Sequence, residues 1–230
     1  MKTKKFNSRS TILDEIRGFT ILLMIFFHFC FDLNNFGFIS IDIMRAPFWY
    51  ALPRLIVFLF LFAVGMSLTL AHGEKIHWSA FNKRFGKIGA LALLISIVTY
   101  ILFPLNWIYF GTLHAIAIIS LMLLPFLKFP KLSLGIALLL FIPSVFWDKN
   151  IPWFSLPHES WDYIAPFPWI GAGLLGIFAT HKGWHLLKLP EENRIVRSLN
   201  YLGKHSLLIY LIHQPILFGL TALCRSLIKE

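Results

Sequence analysis

The sequence predicts an all-α polytopic membrane bundle of about seven transmembrane helices, with the N-terminus in the cytoplasm and the C-terminus outside. Three observations carry that prediction. The 230 residues are 57% hydrophobic and only 14% charged, with a mean hydropathy of +0.71, a balance no water-soluble domain sustains. The apolar residues gather into seven stretches, roughly 12–33, 48–71, 86–104, 109–127, 132–147, 163–180 and 205–224. The basic residues alternate in density between successive connections.

The first stretch follows a basic tail, residues 1–11, expected in the cytoplasm. Its start resembles a secretory leader, but no small-residue cleavage site follows and the run ends in FDLNNFGF, so it reads as a retained first helix. On the inner side lie Lys2, Lys4, Lys5 and Arg9, then Lys75, Lys83, Arg84 and Lys87, then Lys128 and Lys131, then Lys182, Lys188, Arg194, Arg197 and Lys204. Only Arg45, Lys149, Arg225 and Lys229 fall in outer segments, while Arg17 and Arg54 lie within spans. The fifth and sixth stretches are short for a hydrocarbon core of about 30 Å, which takes about 20 helical residues. Trp49, Trp107, Trp147, Trp153, Trp161 and Trp169 fall near the outer side, as an aromatic belt does. The outer connection 148–162, rich in Pro and Trp, could lie over the bundle as a lid or an acceptor-binding surface. The net charge of +10 is spread over short segments beside apolar spans, which excludes nucleic acid as its partner and suits lipid headgroups. The chain reads as one transmembrane domain, 1–230, with no soluble domain beside it.

Charge inside the first span is the feature that points to function. LDEIRGFTILLMIFFHFCFD holds Asp14, Glu15, Arg17, His28 and Asp32. At about 100° per residue Asp32 falls above Asp14, with Arg17 and His28 within roughly 60° of the same line. Only Glu15 is expected to face elsewhere. Intramembrane charge is costly and marks a bundle interior or a wet cavity. Asp14, Glu15 and Arg17 alone would also suit an interfacial collar; His28 with Asp32 one turn on is harder to read that way.

Topology sorts the other polar groups by depth. Arg54, near the outer end of the second span, and His114, in the fourth, are expected at the level of His28 and Asp32. A neutral histidine beside a carboxylate is a general base near neutral pH. In that reading His28 is the base, Asp32 fixes its tautomer, and Arg54 steadies an oxyanion or anchors the carboxylate. His114 is the alternative base or a structural histidine bonding across helices. Pro215 frees a backbone carbonyl near His213, whose ring could bond there. His72, His77, His181 and His185 flank inner span ends, and His158 lies in the outer connection. No P-loop, GxSxG, HExxH or paired CxxC occurs, so no metal is assigned. Cys30 and Cys224 read as buried free thiols, with a single disulfide as the alternative.

Leu13-Asp14, Arg17-Gly18 and His28 resemble the first helix of the acyltransferase-3 membrane acyltransferases. The segments FHFCFDLNNFG, FLFAVGMSL, IYFGTLHAI and LGKHSLLIYLIHQPI are similar to the small bacterial and archaeal relatives of heparan-alpha-glucosaminide N-acetyltransferase, the DUF1624 group. The resemblance implies transfer of an acyl group, usually acetyl, from cytoplasmic acetyl-CoA to a sugar amine or hydroxyl on the far side. It suggests an envelope glycan or glycolipid as acceptor and a prokaryotic cytoplasmic membrane as the setting. Donor contacts are then expected at Arg17, Asp14, Lys83 and Arg84. The lysosomal enzyme places its proposed catalytic histidine in the first luminal connection, whereas residues 34–50 here hold none. The role passes to His28 or His114, and direct transfer in a ternary complex is the expected mechanism. An ion-coupled transporter is the alternative, since intramembrane charge and a proline-broken helix also suit transport. A non-catalytic scaffold is the third reading.

Overall fold

The structure is a computed structural model describing residues 10–43, 45–190 and 193–228. The basic residues Lys2, Lys4, Lys5 and Arg9, and Lys229 at the other end, lie outside the described residues. Among the described residues eight α-helices follow in order: α1 Thr11–Asn35, α2 Pro47–His72, α3 Trp78–Leu102, α4 Thr112–Leu123, α5 Pro130–Trp147, α6 Pro166–His181, α7 Arg194–Lys204 and α8 Ser206–Ile228. Short 3₁₀ turns occupy Leu124–Phe126 and Trp184–Leu186.

Prolines and left-handed residues punctuate these helices. Pro47 and Pro130 open α2 and α5, and Pro166 opens α6, at first-turn positions where the missing N–H has no partner to lose. Gly37, with φ +74°, lets the chain leave α1, its N–H bonding the Asn34 carbonyl at 3.1 Å. Asp148 ends α5 in the left-handed region at φ 50°.

Among the described residues five helices are long and apolar enough to cross a membrane: α1, α2, α3, α5 and α8. The apolar run Thr112–Phe126 is shorter, and α6 has 16 residues, so two of the seven expected spans fall below that length. The cause is local. The fourth stretch loses its first residues to a connection that folds back on itself, and its last turn tightens at Pro125. The sixth is bounded by Pro166 and by Gly183 at φ 87°.

The chain divides into two compact units. Of the described residues, one comprises 10–60 and 186–228, and the other comprises 61–185.

In the 61–185 unit α6 is the central helix. It is buried at Ile170–Leu174, Gly176, Ile177, Ala179 and Thr180, and packs on α4 and α5. Its small residues admit other backbones: Gly65 of α2 abuts the Gly173 carbonyl, and Gly176 abuts the Phe62 carbonyl. Small-residue contact of this kind is how helices associate where apolar burial supplies no bias between lipid and protein. Buried hydroxyls are satisfied within their own helices, Ser67 on Ala63, Thr69 on Gly65 and Thr180 on Gly176, at 2.7–2.9 Å.

In the other unit α1 packs against α7 and α8. Ile21 and Met24 of α1 form a buried core with Leu52 and Ile56 of α2, flanked by Trp49, Ile209 and Tyr210. Arg194, Arg197 and Lys204 give residues 194–204 the composition of a basic connection. They form instead an amphipathic helix whose Val196 and Gly203 are buried, with Gly203 against the Asp14 backbone and Leu199 against Gly18. Asn193 caps it, its side chain accepting the Ile195 N–H at 2.8 Å. Glu15, expected to face away from the functional stripe, is buried under α7 and accepts the Asn200 amide at 3.1 Å.

Candidate active site

Asp32 and His28 stand one turn apart on α1, and α8 brings His213 and Gln214 against them. The Gln214 side-chain amide donates to Asp32 Oδ1 at 3.0 Å. The His28 and His213 rings meet edge to face, 4.8 Å between centroids and 85° between planes. Asp32 is 1% exposed and His213 8% exposed. Asp32 Oδ2, His213 Nε2 and Gln214 Oε1 are buried without a hydrogen-bond partner, so three orphan polar atoms gather where two helices touch. Unpartnered buried groups cost about 1–3 kcal/mol each, so apolar packing alone does not account for three of them together.

Backbone bonds assign the tautomers. His28 Nδ1 lies 2.9 Å from the Met24 carbonyl and His213 Nδ1 2.7 Å from that of Tyr210. A carbonyl only accepts, so Nδ1 carries the hydrogen in both rings, and the neutral form of each holds its lone pair on Nε2. The carbonyl that His213 takes up is thus Tyr210's. For His28 the tautomer expected from Asp32 is set within its own helix, and the carboxylate is held by Gln214.

His114 lies in the other unit and carries the opposite tautomer. Its Nδ1 accepts the Gly111 N–H at 3.2 Å, and its Nε2 donates to Ser96 Oγ at 3.2 Å. The Ser96 hydroxyl passes its own hydrogen to the Ile108 carbonyl at 2.6 Å. Both ring nitrogens are therefore engaged in closing the N-terminus of α4. Asp162 completes that closure, accepting from the Thr112 N–H at 2.7 Å and from its hydroxyl at 3.3 Å.

Arg54, in the unit of His28, is exposed and folded onto its own helix. It donates to the Tyr50 carbonyl at 2.7 Å and lies over the Tyr50 ring at 3.4 Å. It makes no contact with Asp32, whose partner is Gln214. Arg17 pairs with Asp14 at 3.3 Å near the start of α1. Lys83 is exposed on α3, and Arg84 lines a narrow cleft with Leu68, Phe81 and Ser120. Lys83 and Arg84 belong to the 61–185 unit, Arg17 and Asp14 to the other. Among the described residues no group of three or more His, Cys, Asp or Glu side chains is placed to hold a metal ion. Both cysteines are free thiols, Cys224 exposed and Cys30 half-buried.

The connections 103–111 and 148–165 of the 61–185 unit interlock. Asn106 donates to the Glu159 carbonyl at 3.1 Å, Trp161 N–H to the Asn106 carbonyl at 3.2 Å, and Ile164 N–H to that of Phe110 at 3.0 Å. His158 stacks on Trp107, and Tyr109 touches His158, Phe154 and Tyr163. Burial, and then the Tyr109 hydroxyl beside it, push the Tyr163 phenol above its ordinary value, so it stays a donor to the Phe154 carbonyl at 2.7 Å. The segment 148–162 is thus built onto the 103–111 connection as an aromatic layer.

The chain matches the family model for the catalytic domain of heparan-alpha-glucosaminide N-acetyltransferase over residues 9–215, which takes in every helix through the HQP segment of α8. The chain belongs to the heparan-alpha-glucosaminide N-acetyltransferase catalytic family. Neither a search of curated proteins nor one of solved structures finds a match. Membership places the chain in a membrane acetyltransferase family, and the five apolar helices fit an integral membrane protein. The match ends at Pro215, so it includes His28, Asp32, His213 and Gln214 but not the rest of α8.

Nothing local in the sequence pairs Gln214 with Asp32, 182 positions away. Its adjacency to His213 and Pro215 was the only signal. Replacing it with leucine keeps most of the volume and removes the donor to Asp32. Gln214→Leu is expected to lower stability by about 1–3 kcal/mol, read by thermal denaturation in detergent, and Asp32→Asn in the same background should recover part of that loss.

Proposed function

We propose that this protein moves an acetyl group from acetyl-CoA, taken from the cytoplasm, to a sugar amine or hydroxyl of an envelope glycan or glycolipid on the outer side of a prokaryotic cytoplasmic membrane. The single observation that carries the proposal is the His28 ring, whose Nδ1 bond to Met24 leaves the lone pair on Nε2, in a ring that meets the edge of His213 one turn from Asp32. His114, with both nitrogens engaged, is left as the alternative base. The aromatic layer of 103–111 and 148–162 is the proposed surface for the acceptor, and Arg54 a proposed oxyanion contact. The whole chain is taken as one functional domain, N-terminus inside and C-terminus outside, with α4 and α6 completing seven crossings.

In the proposed reaction the acceptor nitrogen or oxygen attacks the thioester carbonyl while His28 Nε2 takes its proton. The C–S bond breaks as the amide or ester forms. His28 returns the proton to the departing thiolate, releasing coenzyme A and restoring the neutral ring. Asp32 supports the transient imidazolium through the field of a buried carboxylate.

The test is transfer itself: purified protein in vesicles, labelled acetyl-CoA and an amino-sugar acceptor, with the product read by mass spectrometry. Acetylated product that requires both substrates supports the enzyme. Movement of the sugar across the vesicle without product would establish the transporter instead. Arg17 sits about 16 Å below His28 at 1.5 Å per residue, where the donor would pass. Arg17→Ala should weaken coenzyme A binding about 10- to 100-fold, measured by calorimetry, since a charge-assisted contact is worth about 1.5–3 kcal/mol.

A further inference from the structure

The ends of three span-length helices of the 61–185 unit line a cavity of about 380 Å³: His72, the last residue of α2, Trp78, the first of α3, and Phe129, which precedes α5. Helix ends of this kind lie at headgroup level in a bilayer. The volume falls within the range of small-ligand sites, about 300–1,000 Å³. One wall is pinned, since His181 Nε2 donates to the Leu127 carbonyl at 2.8 Å and the Ser133 hydroxyl to that of Phe129 at 2.9 Å. His72 is 5% exposed. The His77 N–H donates to its Nδ1 at 3.2 Å, so the neutral ring carries its hydrogen on Nε2, a donor that no described residue accepts. Lys75 and Lys128 reach the lining from the two connections, and among the described residues neither forms an ion pair. Glu74 is the acidic side chain of the lining, so two lysines against it leave one net positive charge. Trp78 and Phe129 are exposed beside them, as aromatic rings are at a membrane–water boundary.

We propose that this cavity is a specific site for an anionic phospholipid, its headgroup phosphodiester held by Lys75, Lys128 and the Nε2 hydrogen of His72. Lysines at a membrane surface attract acidic lipid wherever they stand. A buried N–H with nothing to accept it, between two ammonium groups that have no carboxylate partner, holds one phosphate at one place. The charge matches as well. A phosphodiester carries a single negative charge, the complement of the lining, whereas a phosphomonoester carries about −1.5 to −2 at neutral pH. A zwitterionic headgroup brings its own cation against the lysines. The acyl chains would run beside exposed apolar side chains such as Leu132 in the first turn of α5. The inference does not depend on the acetyl-CoA reading, since the lining belongs to the 61–185 unit and His28 to the other.

The experiment adds dihexanoyl phosphatidylglycerol to the full chain in an uncharged detergent and reads binding by calorimetry and by the rise in Tm. Dihexanoyl phosphatidylcholine and inorganic phosphate are the comparison ligands. Phosphatidylglycerol is expected to bind once per chain and more tightly than either. The Lys75→Ala/Lys128→Ala variant should weaken it about 10- to 100-fold, the loss of charge-assisted contacts to phosphate. Its unliganded Tm should stay near that of the unaltered protein, because both side chains are exposed on connections. The charge-matched Lys87→Ala/Lys131→Ala variant removes two lysines of the same helix ends that lie outside the lining, and should bind as the unaltered protein does. Equal weakening by the two double variants would overturn the site in favour of diffuse surface attraction. Equal affinity for phosphatidylcholine would overturn the charge argument. Displacement of phosphatidylglycerol by inorganic phosphate at equal concentration would make this a free-phosphate site and overturn the lipid assignment.

Discussion

His28→Ala is expected to lower acetyl transfer by about 100- to 10,000-fold while the protein still binds coenzyme A. That is the range a positioned general base contributes. The ring is held from two sides, by the Met24 carbonyl on its own helix and by the edge of His213 from α8. Removing it takes away the proton acceptor and leaves α1 intact, so thermal stability and its increase with coenzyme A should survive. The paired variant is His114→Ala. Its ring closes the N-terminus of α4, accepting from Gly111 and donating to Ser96. That variant should lose stability first and transfer only in proportion to the protein that remains folded. Steady-state transfer normalised to folded protein separates the two. Full activity in His28→Ala with a dead, folded His114→Ala variant would reverse the roles.

Gly65→Ala is expected to be among the most destabilising single methyl additions in the chain. The new Cβ would be driven into the Gly173 carbonyl, a backbone atom that cannot turn aside. Overpacking typically costs about 1–3 kcal/mol, and more where α2 and α6 must separate. Gly176 sits against the Phe62 carbonyl on the same pair of helices, so the interface has no slack one turn on. The control is Gly135→Ala on α5. Its Cβ would meet nothing within 4 Å, and the exchange gains up to about 1 kcal/mol of helix propensity. Thermal unfolding of the two variants in one detergent should show shifts of opposite sign. Equal behaviour would mean that the α2–α6 contact is not part of the folded core.

Much of the helical framework was legible because lipid imposes a length and a composition on each crossing. The stretches 12–33, 48–71 and 205–224 correspond to α1, α2 and α8 with small boundary changes. α7 was not legible as a helix. Arg194, Arg197 and Lys204 gave its segment the density of a loop, and only Val196, Leu199, Asn200 and Gly203, spaced at helical intervals, betrayed an inward face. Without α7 the partner of Glu15 is hidden too, since on α1 alone it only faces away from the polar stripe until α7 brings Asn200 to it. His28 and Asp32 could be singled out because charge is rare in a membrane span. Gln214 could not, because a neutral amide near a proline draws no notice.

By itself the sequence determined an all-helical membrane chain with a polar stripe on its first helix, since apolar run length and the cost of buried charge are properties of single segments. The tertiary structure alone decided which groups that stripe meets. Asp32 acquires Gln214, His28 acquires His213 and Glu15 acquires Asn200 only when α7 and α8 pack on α1. Hydrogen bonds between helices depend on register and rotation across nearly the whole chain length, and no local pattern encodes those.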